Sequence, residues 1–85
     1  MPYLVRIKKS AERELARLPL PVILNIRDKV RELSTNPLPS GHKKLRGFKN
    51  LFRIRAGNYR IIYSLFHKEM IVEVLKIGDR KDVYS

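Results

Sequence analysis

Residues 51–66 (LFRIRAGNYRIIYSLF) constrain the fold of this chain more than any other stretch. They read as two strands joined by Gly57-Asn58, a two-residue turn whose leading glycine suits a type II′ hairpin. The turn predicts the register: Ala56 faces Tyr59, Arg55 faces Arg60, Ile54 faces Ile61, Arg53 faces Ile62 and Phe52 faces Tyr63. Because side chains alternate across a strand, one face of the hairpin is apolar and is formed by Phe52, Ile54, Ile61, Tyr63 and Leu65.

The opposite side of this hairpin, the arginine face, carries Arg53, Arg55 and Arg60. Like charges directly opposite in a ladder are destabilising, by a few tenths to about 1 kcal/mol per pair. One interpretation is purely structural, since guanidinium groups on a solvated face splay apart at little cost. The functional interpretation is that the three arginines converge on a polyanion. Phosphate is favoured, because arginine presents a planar fork of donors to it.

The charge of the whole chain also indicates an anionic partner. A net charge of +11 on 85 residues is extreme, and no acidic residue occurs between Glu32 and Glu69. The chain is long enough for a single domain, residues 1–85, and it has no cysteine for a disulfide or a thiolate metal site. No apolar run is long enough to cross a membrane, so we expect a cytoplasmic protein without a membrane partner.

The order of elements predicts an α+β fold, β-α-α-β-β-β. Residues 3–8 read as a strand, Ser10 as the N-cap of a short helix, and Pro21 as the first position of a second helix. Residues 36–41 (NPLPSG) form a loop, and residues 42–50 carry dense positive charge, with Leu45 and Phe48 as expected core anchors. After the hairpin, residues 70–77 read as a last strand that Gly78 ends. We therefore predict a mostly antiparallel four-stranded sheet with a helical hairpin on its apolar face and the arginine face left open.

The motifs of this chain resemble those of the RelE/ParE superfamily of type II toxins. The resemblance rests on KKLRG at 43–47, RIRAGNYRIIY at 53–63 and VLKIGDRKDVY at 74–84, and it extends over essentially the whole chain. It implies a RelE-like fold and, for the RelE branch, a ribosome-dependent endonuclease that cuts mRNA in the A site. In that reaction the ribose 2′-OH attacks the adjacent phosphate. No cofactor and no metal are implied.

The resemblance also implies roles for individual residues. The implied catalytic residues are Arg53, Arg55, Arg60, Arg80 and Tyr84, with Arg60 at the scissile phosphate, Arg80 assisting and Tyr84 stacking on a base. We expect the cations within residues 42–50, the basic loop, to contact RNA phosphates. They are Lys43, Lys44, Arg46 and Lys49. The general base is open between Asp79, Tyr84 and ribosomal RNA, since arginine stays protonated. His42 and His67 are interpreted as surface loop histidines.

Two other functions fit the same sequence. A ParE-like toxin would inhibit DNA gyrase without any nuclease activity, and a plain RNA-binding domain would need only the basic surface. The joint presence of Arg60, Arg80 and Tyr84 favours the nuclease, because a pure binder needs no such convergence. Either toxin implies a cognate antitoxin, and the charge of +11 suggests that its wrapping segment is acidic.

Overall fold

The computed structural model describes residues 2–79 and has two helices and five strands. In chain order these are β1 (Leu4–Ile7), α1 (Lys9–Ala16), α2 (Leu20–Glu32), β2 (Lys43–Lys44), β3 (Leu51–Ala56), β4 (Tyr59–Phe66) and β5 (Ile71–Asp79). The strands form one sheet in the order β1-β5-β4-β3-β2, in which β1 runs parallel to β5 and all other neighbours are antiparallel. The predicted α+β fold and its mostly antiparallel sheet are confirmed.

The β3–β4 hairpin has the register that its turn predicts. All five predicted pairs are present, and Leu51 additionally pairs with Ser64. Gly57 has a φ of +63°, the left-handed backbone that the first position of a type II′ turn requires and that glycine adopts without strain. The register is therefore set locally, by residues that are adjacent in sequence.

The helices cover the apolar face of the sheet. Helix α1 packs mainly against β5, and α2 contacts β3. Leu15, Ile26, Val30 and Leu33 from the helical segment are buried, as are Ile54, Ile61, Tyr63 and Leu65 from the hairpin and Val72, Val74 and Ile77 from β5. Phe52, Leu18 and Ile23 are partly buried against this core. The predicted packing of the helical hairpin on the apolar face of the sheet is confirmed.

Three local predictions differ from the structure. Ser10 lies inside α1 rather than at its N-cap, because Lys8 bonds to Val74 of β5 and the helix begins directly after it. Pro21 is in the first turn of α2, but Leu20 precedes it in the helix. Gly78 does not end β5, since Arg60 pairs with Gly78 and Tyr59 pairs with Asp79.

The predicted number of four strands is wrong, because the sheet has a fifth strand within the predicted loop of residues 42–50. Lys43 and Lys44 pair with Arg53 and Phe52, which makes the short β2 the edge strand beside β3. A two-residue strand of lysines has no apolar alternation, so nothing in its sequence distinguishes it from a loop. Its lysines also suit an exposed sheet edge, where charge discourages pairing with other chains.

Tyr63 links the sheet to the loop between α2 and β2. Its side chain is fully buried, its ring stacks on that of Phe52 with centroids 5.9 Å apart, and its hydroxyl donates a hydrogen bond of 2.7 Å to the carbonyl of Pro37. Burial raises the pKa of Tyr63 from 10.0 to about 12, because the phenolate loses its hydration. The hydroxyl therefore stays protonated in the folded protein at a pH where the unfolded chain ionises.

This difference in pKa predicts a loss of stability at high pH. At pH 8 Tyr63→Phe should be less stable than wild type by about 1 kcal/mol, the usual net value of a hydrogen bond. Because the folded pKa is raised, the contribution of Tyr63 is complete below pH 10 and declines as the pH rises towards 12. Wild type should lose about 1.4 kcal/mol relative to Tyr63→Phe between pH 8 and pH 11. Urea unfolding of wild type and Tyr63→Phe at pH 8 and at pH 11 measures this difference. Lysine titration affects both proteins equally, so it cancels in the comparison. A stability difference that does not change with pH would contradict it.

Candidate functional site

The arginine face lies on the side of the sheet away from the helices. Arg53 and Arg55 alternate with the core residue Ile54 on β3, and Arg55 pairs directly with Arg60 on β4. Since Ile54 and Ile61 point into the core, the three arginines project from the other face. The hairpin thus brings three guanidinium groups from two strands to one surface.

Two of these arginines border an open hollow at the sheet edge. The hollow has a volume of about 370 Å³ and is lined by Ser40, Gly41, Lys43, Arg53 and Arg55. Lys43 reaches it because β2 pairs with β3 and places Lys43 opposite Arg53. This basic hollow combines three cations with two small residues, so a phosphate group has both room and charge-assisted donors there.

The expectation of a uniformly open arginine face is wrong at Arg60. Arg55 is exposed and Arg53 is half-buried, but Arg60 is only 5% exposed. The difference follows from the strand order, because β4 lies between β3 and β5 whereas β2 flanks β3 only opposite Phe52 and Arg53. Arg60 is therefore held in the middle of the sheet, and Arg55 lies where the neighbouring strand has ended.

The four cations expected to bind RNA phosphates do not all lie together. Lys43 lines the basic hollow, while Lys44 pairs with Phe52 and so belongs to the opposite sheet face. Arg46 and Lys49 are exposed in the loop between β2 and β3. Arg80 and Tyr84, the remaining predicted catalytic residues, lie outside the described residues.

The two residues of this loop that were predicted to anchor it to the core differ in their burial. Leu45 is half-buried, but Phe48 is 57% exposed, so the prediction that Phe48 packs into the core is wrong. Gly47 has a φ of +81° and turns the chain just before Phe48. The loop is also closed at its base, where the Leu45 N–H donates to the Leu51 carbonyl at 3.0 Å. A loop this short and this tightly closed does not return the ring to the core.

Asp79, one of the open alternatives for the general base, belongs to the other face of the sheet. It pairs with Tyr59 and lines a second hollow of about 340 Å³ together with Glu14, Arg17 and Leu18. Glu14 shapes this end of β5, since its Oε1 accepts a hydrogen bond of 3.0 Å from the backbone N–H of Ile77. Asp79 and the basic hollow are thus built on different sides of the sheet.

Neither histidine belongs to the basic hollow. The His42 ring makes an edge contact with Phe52 at 5.9 Å, and its Nδ1 donates to the Pro39 carbonyl at 2.8 Å, which fixes the loop. His67 is exposed in the turn after β4, and its Nδ1 lies 3.2 Å from the Tyr3 hydroxyl. Both histidines occupy loops, as interpreted from the sequence, but only His67 lies on the surface, since His42 is half-buried.

Two residues of the basic hollow were not predicted from the sequence as site residues. Ser40 and Gly41 line it because the loop that Tyr63 holds at Pro37 leads directly to β2. Lys76 has the register of the arginine face, since it pairs with Ile62, which in turn pairs with Arg53, but it borders the hollow of Asp79 and not the basic hollow. Its signal in the sequence was a single cation in a predicted strand that is apolar apart from Glu73 and Lys76. Ser40 and Gly41 have only the general signature of a loop.

Within residues 2–79, no group of three histidine, cysteine, aspartate or glutamate side chains is placed to hold a metal ion. In the same part of the chain no helix has the length and apolar character needed to span a membrane.

Comparison with known proteins connects this geometry to a family. Residues 5–84 match the model of the ParE toxin of type II toxin-antitoxin systems, parDE. Toxin RelG of Mycobacterium tuberculosis is 32% identical over 85 residues, which cover 99% of this chain and 98% of that protein. A putative RelE-like toxin protein of Escherichia coli is 31% identical over 90 residues, covering 100% of this chain and 93% of the relative.

Solved structures agree with the sequence relatives. A chain of the archaeal RelE–RelB complex of Pyrococcus horikoshii superimposes with a TM-score of 0.84 and 32% identity, covering 94% of this chain and 97% of that one. A chain of the RelBE2 toxin-antitoxin complex of Mycobacterium tuberculosis gives a TM-score of 0.82 and 30% identity, covering 94% and 100%. With a family match over nearly its full length and RelE-like relatives in both sequence and structure, the chain belongs to the RelE/ParE superfamily of type II toxin-antitoxin toxins.

Proposed function

We propose that this toxin is a ribosome-dependent endoribonuclease that cuts mRNA codons in the A site and so inhibits translation. The observation that carries the proposal is the grouping of Lys43, Arg53 and Arg55 around one open hollow. Arg60 adds a further cation on the same face, directly opposite Arg55. A surface of this kind matches the charge and size of an RNA phosphate.

The proposed reaction is attack of a ribose 2′-OH on the adjacent phosphate. A bond forms between the 2′ oxygen and phosphorus as the 2′-OH proton passes to a base. The bond from phosphorus to the 5′ oxygen of the next nucleotide breaks, and that oxygen takes up a proton to leave as a 5′-hydroxyl. The pentacoordinate phosphorane between these states concentrates negative charge, and cations already in place stabilise it more than they stabilise the substrate. Arg53, Arg55 and Arg60 are assigned to this role, with Arg80 assisting from the segment after β5.

Arginine cannot take the proton of the 2′-OH, because it remains protonated at any accessible pH. Asp79 pairs with Tyr59 on the side of the helices, which argues against it as the general base. We therefore assign the base to Tyr84 or to ribosomal RNA. In either case the Tyr84 ring is proposed to stack on a substrate base. The dependence on a 2′-OH makes RNA rather than DNA the substrate.

The proposed partners are the ribosomal A site with its mRNA and a cognate antitoxin. Structural relatives of this chain from Pyrococcus horikoshii and Mycobacterium tuberculosis were solved as complexes with their antitoxins. By the same arrangement, an antitoxin segment would wrap this toxin, and the charge of +11 favours an acidic segment. The antitoxin would neutralise the toxin by occupying or covering its basic surface.

Loss of one arginine should abolish most of the cleavage. Arg55→Thr removes an exposed guanidinium from the basic hollow and should lower the cleavage rate on translating ribosomes by about 10²–10³, the usual effect of one preorganised donor. Arg80→Ala should have a similar effect. Tyr84→Phe should retain much of the activity if Tyr84 only stacks, and should lose most of it if the Tyr84 hydroxyl is the general base. Mapping of mRNA ends by primer extension in a translating extract measures these rates.

The matched control is Arg6→Thr, which removes an exposed arginine from edge strand β1 of the same sheet and should cleave like wild type. The gyrase alternative is tested by supercoiling assays on the same proteins, since the matching family model is that of the ParE toxin. If Arg55→Thr and Arg80→Ala both remain toxic in cells while mRNA stays intact, the nuclease proposal is wrong. Inhibition of gyrase by the wild-type protein in the supercoiling assay would then support the ParE-like function instead.

The salt dependence of ribosome binding should report the phosphate contacts of Lys43 and Lys44. Replacing both by glutamine should weaken binding and flatten the plot of log affinity against log salt, by roughly one unit of slope for each phosphate that the variant no longer neutralises. The control is a double glutamine variant of Arg27 and Lys29, two exposed cations on the solvent side of α2. Equal slopes for the two double variants would exclude a specific phosphate contact by β2.

A further inference from the structure

The most exposed aromatic side chain in the basic part of the described chain is Phe48. It lies in the loop of residues 45–50 that joins β2 to β3, and 57% of its surface is accessible. Single exposed apolar residues are common on protein surfaces and need no explanation by themselves. Phe48 differs because of what surrounds it and because of how its loop is held.

The loop has a defined base that fixes its position on the sheet. The N–H of Leu45 donates to the carbonyl of Leu51 at 3.0 Å, and the N–H of Leu65 donates to the carbonyl of Asn50 at 2.9 Å. Gly47 adopts a φ of +81°, a backbone that favours glycine, immediately before Phe48. The ring is therefore presented on a short closed loop whose two ends are hydrogen-bonded to strands of the sheet.

Several cations lie close to Phe48 in the sequence. Arg46 and Lys49 are exposed in the same loop, and Lys44 is exposed where the loop leaves β2. No acidic residue occurs between Glu32 and Glu69. An aromatic ring flanked by cations is the arrangement that binds unpaired nucleotides, since the ring stacks on the base and the cations contact the flanking phosphates.

We propose that Phe48 is an RNA contact that stacks on an unpaired base while Arg46 and Lys49 hold the adjacent phosphates. The inference deepens the proposed function, on which it rests, by adding a second RNA contact at the tip of the β2–β3 loop. The base belongs either to mRNA or to ribosomal RNA, which offer the same chemistry. Phe48 serves binding and not the chemical step, because it lies outside the basic hollow.

The absence of tryptophan from this sequence allows a direct test. Phe48→Trp introduces one tryptophan at the proposed stacking position, whose emission can be excited selectively over that of the four tyrosines, and stacking on a base should quench it. The matched control is Leu24→Trp, on an α2 residue that is 55% exposed and far from the loop in sequence. Both proteins are titrated with a single-stranded oligoribonucleotide, with vacant ribosomes and with ribosomes that carry mRNA.

Saturable quenching of Phe48→Trp but not of Leu24→Trp by at least one of these probes is the expected result. Quenching by vacant ribosomes assigns the base to ribosomal RNA, and quenching that requires mRNA or the oligoribonucleotide assigns it to a single strand. On the probe that quenches, Phe48→Leu should weaken binding of the otherwise wild-type protein by about 5- to 150-fold, and Phe48→Tyr should restore it, because stacking needs an aromatic ring.

The proposal is overturned if no probe quenches Phe48→Trp beyond the Leu24→Trp control, or if Phe48→Leu binds as tightly as wild type. The fluorescence signal does not depend on cleavage. A toxin that leaves mRNA intact but shows the quenching would disprove the nuclease proposal alone, and a cleaving toxin without quenching would disprove the role of Phe48 alone.

Discussion

The register of the β3–β4 hairpin is the constraint on which both sides of this molecule depend. Gly57 and Asn58 set it, and a slip of one residue would exchange the two faces of the strand. Ile54 would then face solvent, and Arg55 would be driven into the core under the helices. The same turn therefore places the apolar side chains of the hairpin against the helices and brings its arginines to one surface. Folding and the proposed chemistry are specified by one local structure.

The loop between α2 and β2 connects the hairpin to the edge of the sheet. Tyr63 points into the core because of the hairpin register, and its hydroxyl holds the loop at Pro37. From there the chain passes Ser40 and Gly41 and enters β2, where Lys43 pairs with Arg53. The basic hollow is thus formed by a loop and a strand edge that a buried side chain positions from the other face. This coupling explains how a small domain shapes a site without a deep cleft.

Elements with a strong local pattern could be predicted from the sequence, and elements held by tertiary contacts could not. The hairpin register follows from the alternation of apolar and charged residues and from Gly57, and the two helices follow from the spacing of their apolar residues. The two-residue strand β2 has no such pattern, because pairing with β3 creates it. The burial of Arg60 and the exposure of Phe48 depend on strand order and on the closure of a loop, neither of which composition reports. For the site, the arginine pairing was predictable, whereas Ser40 and Gly41 were not.

The central proposal is that Arg55 on the arginine face serves phosphate binding and is not needed by the fold. The most direct test is the free energy of unfolding of Arg55→Thr in urea at low and high salt, because Arg55 is exposed and lies opposite Arg60. Threonine suits a strand, and removing the like charge should leave the protein as stable as wild type or up to about 1 kcal/mol more stable at low salt. The charge-dependent part of any gain should shrink as salt screens the repulsion. A loss of more than about 1 kcal/mol at low salt would show that Arg55 supports the fold and would contradict the account.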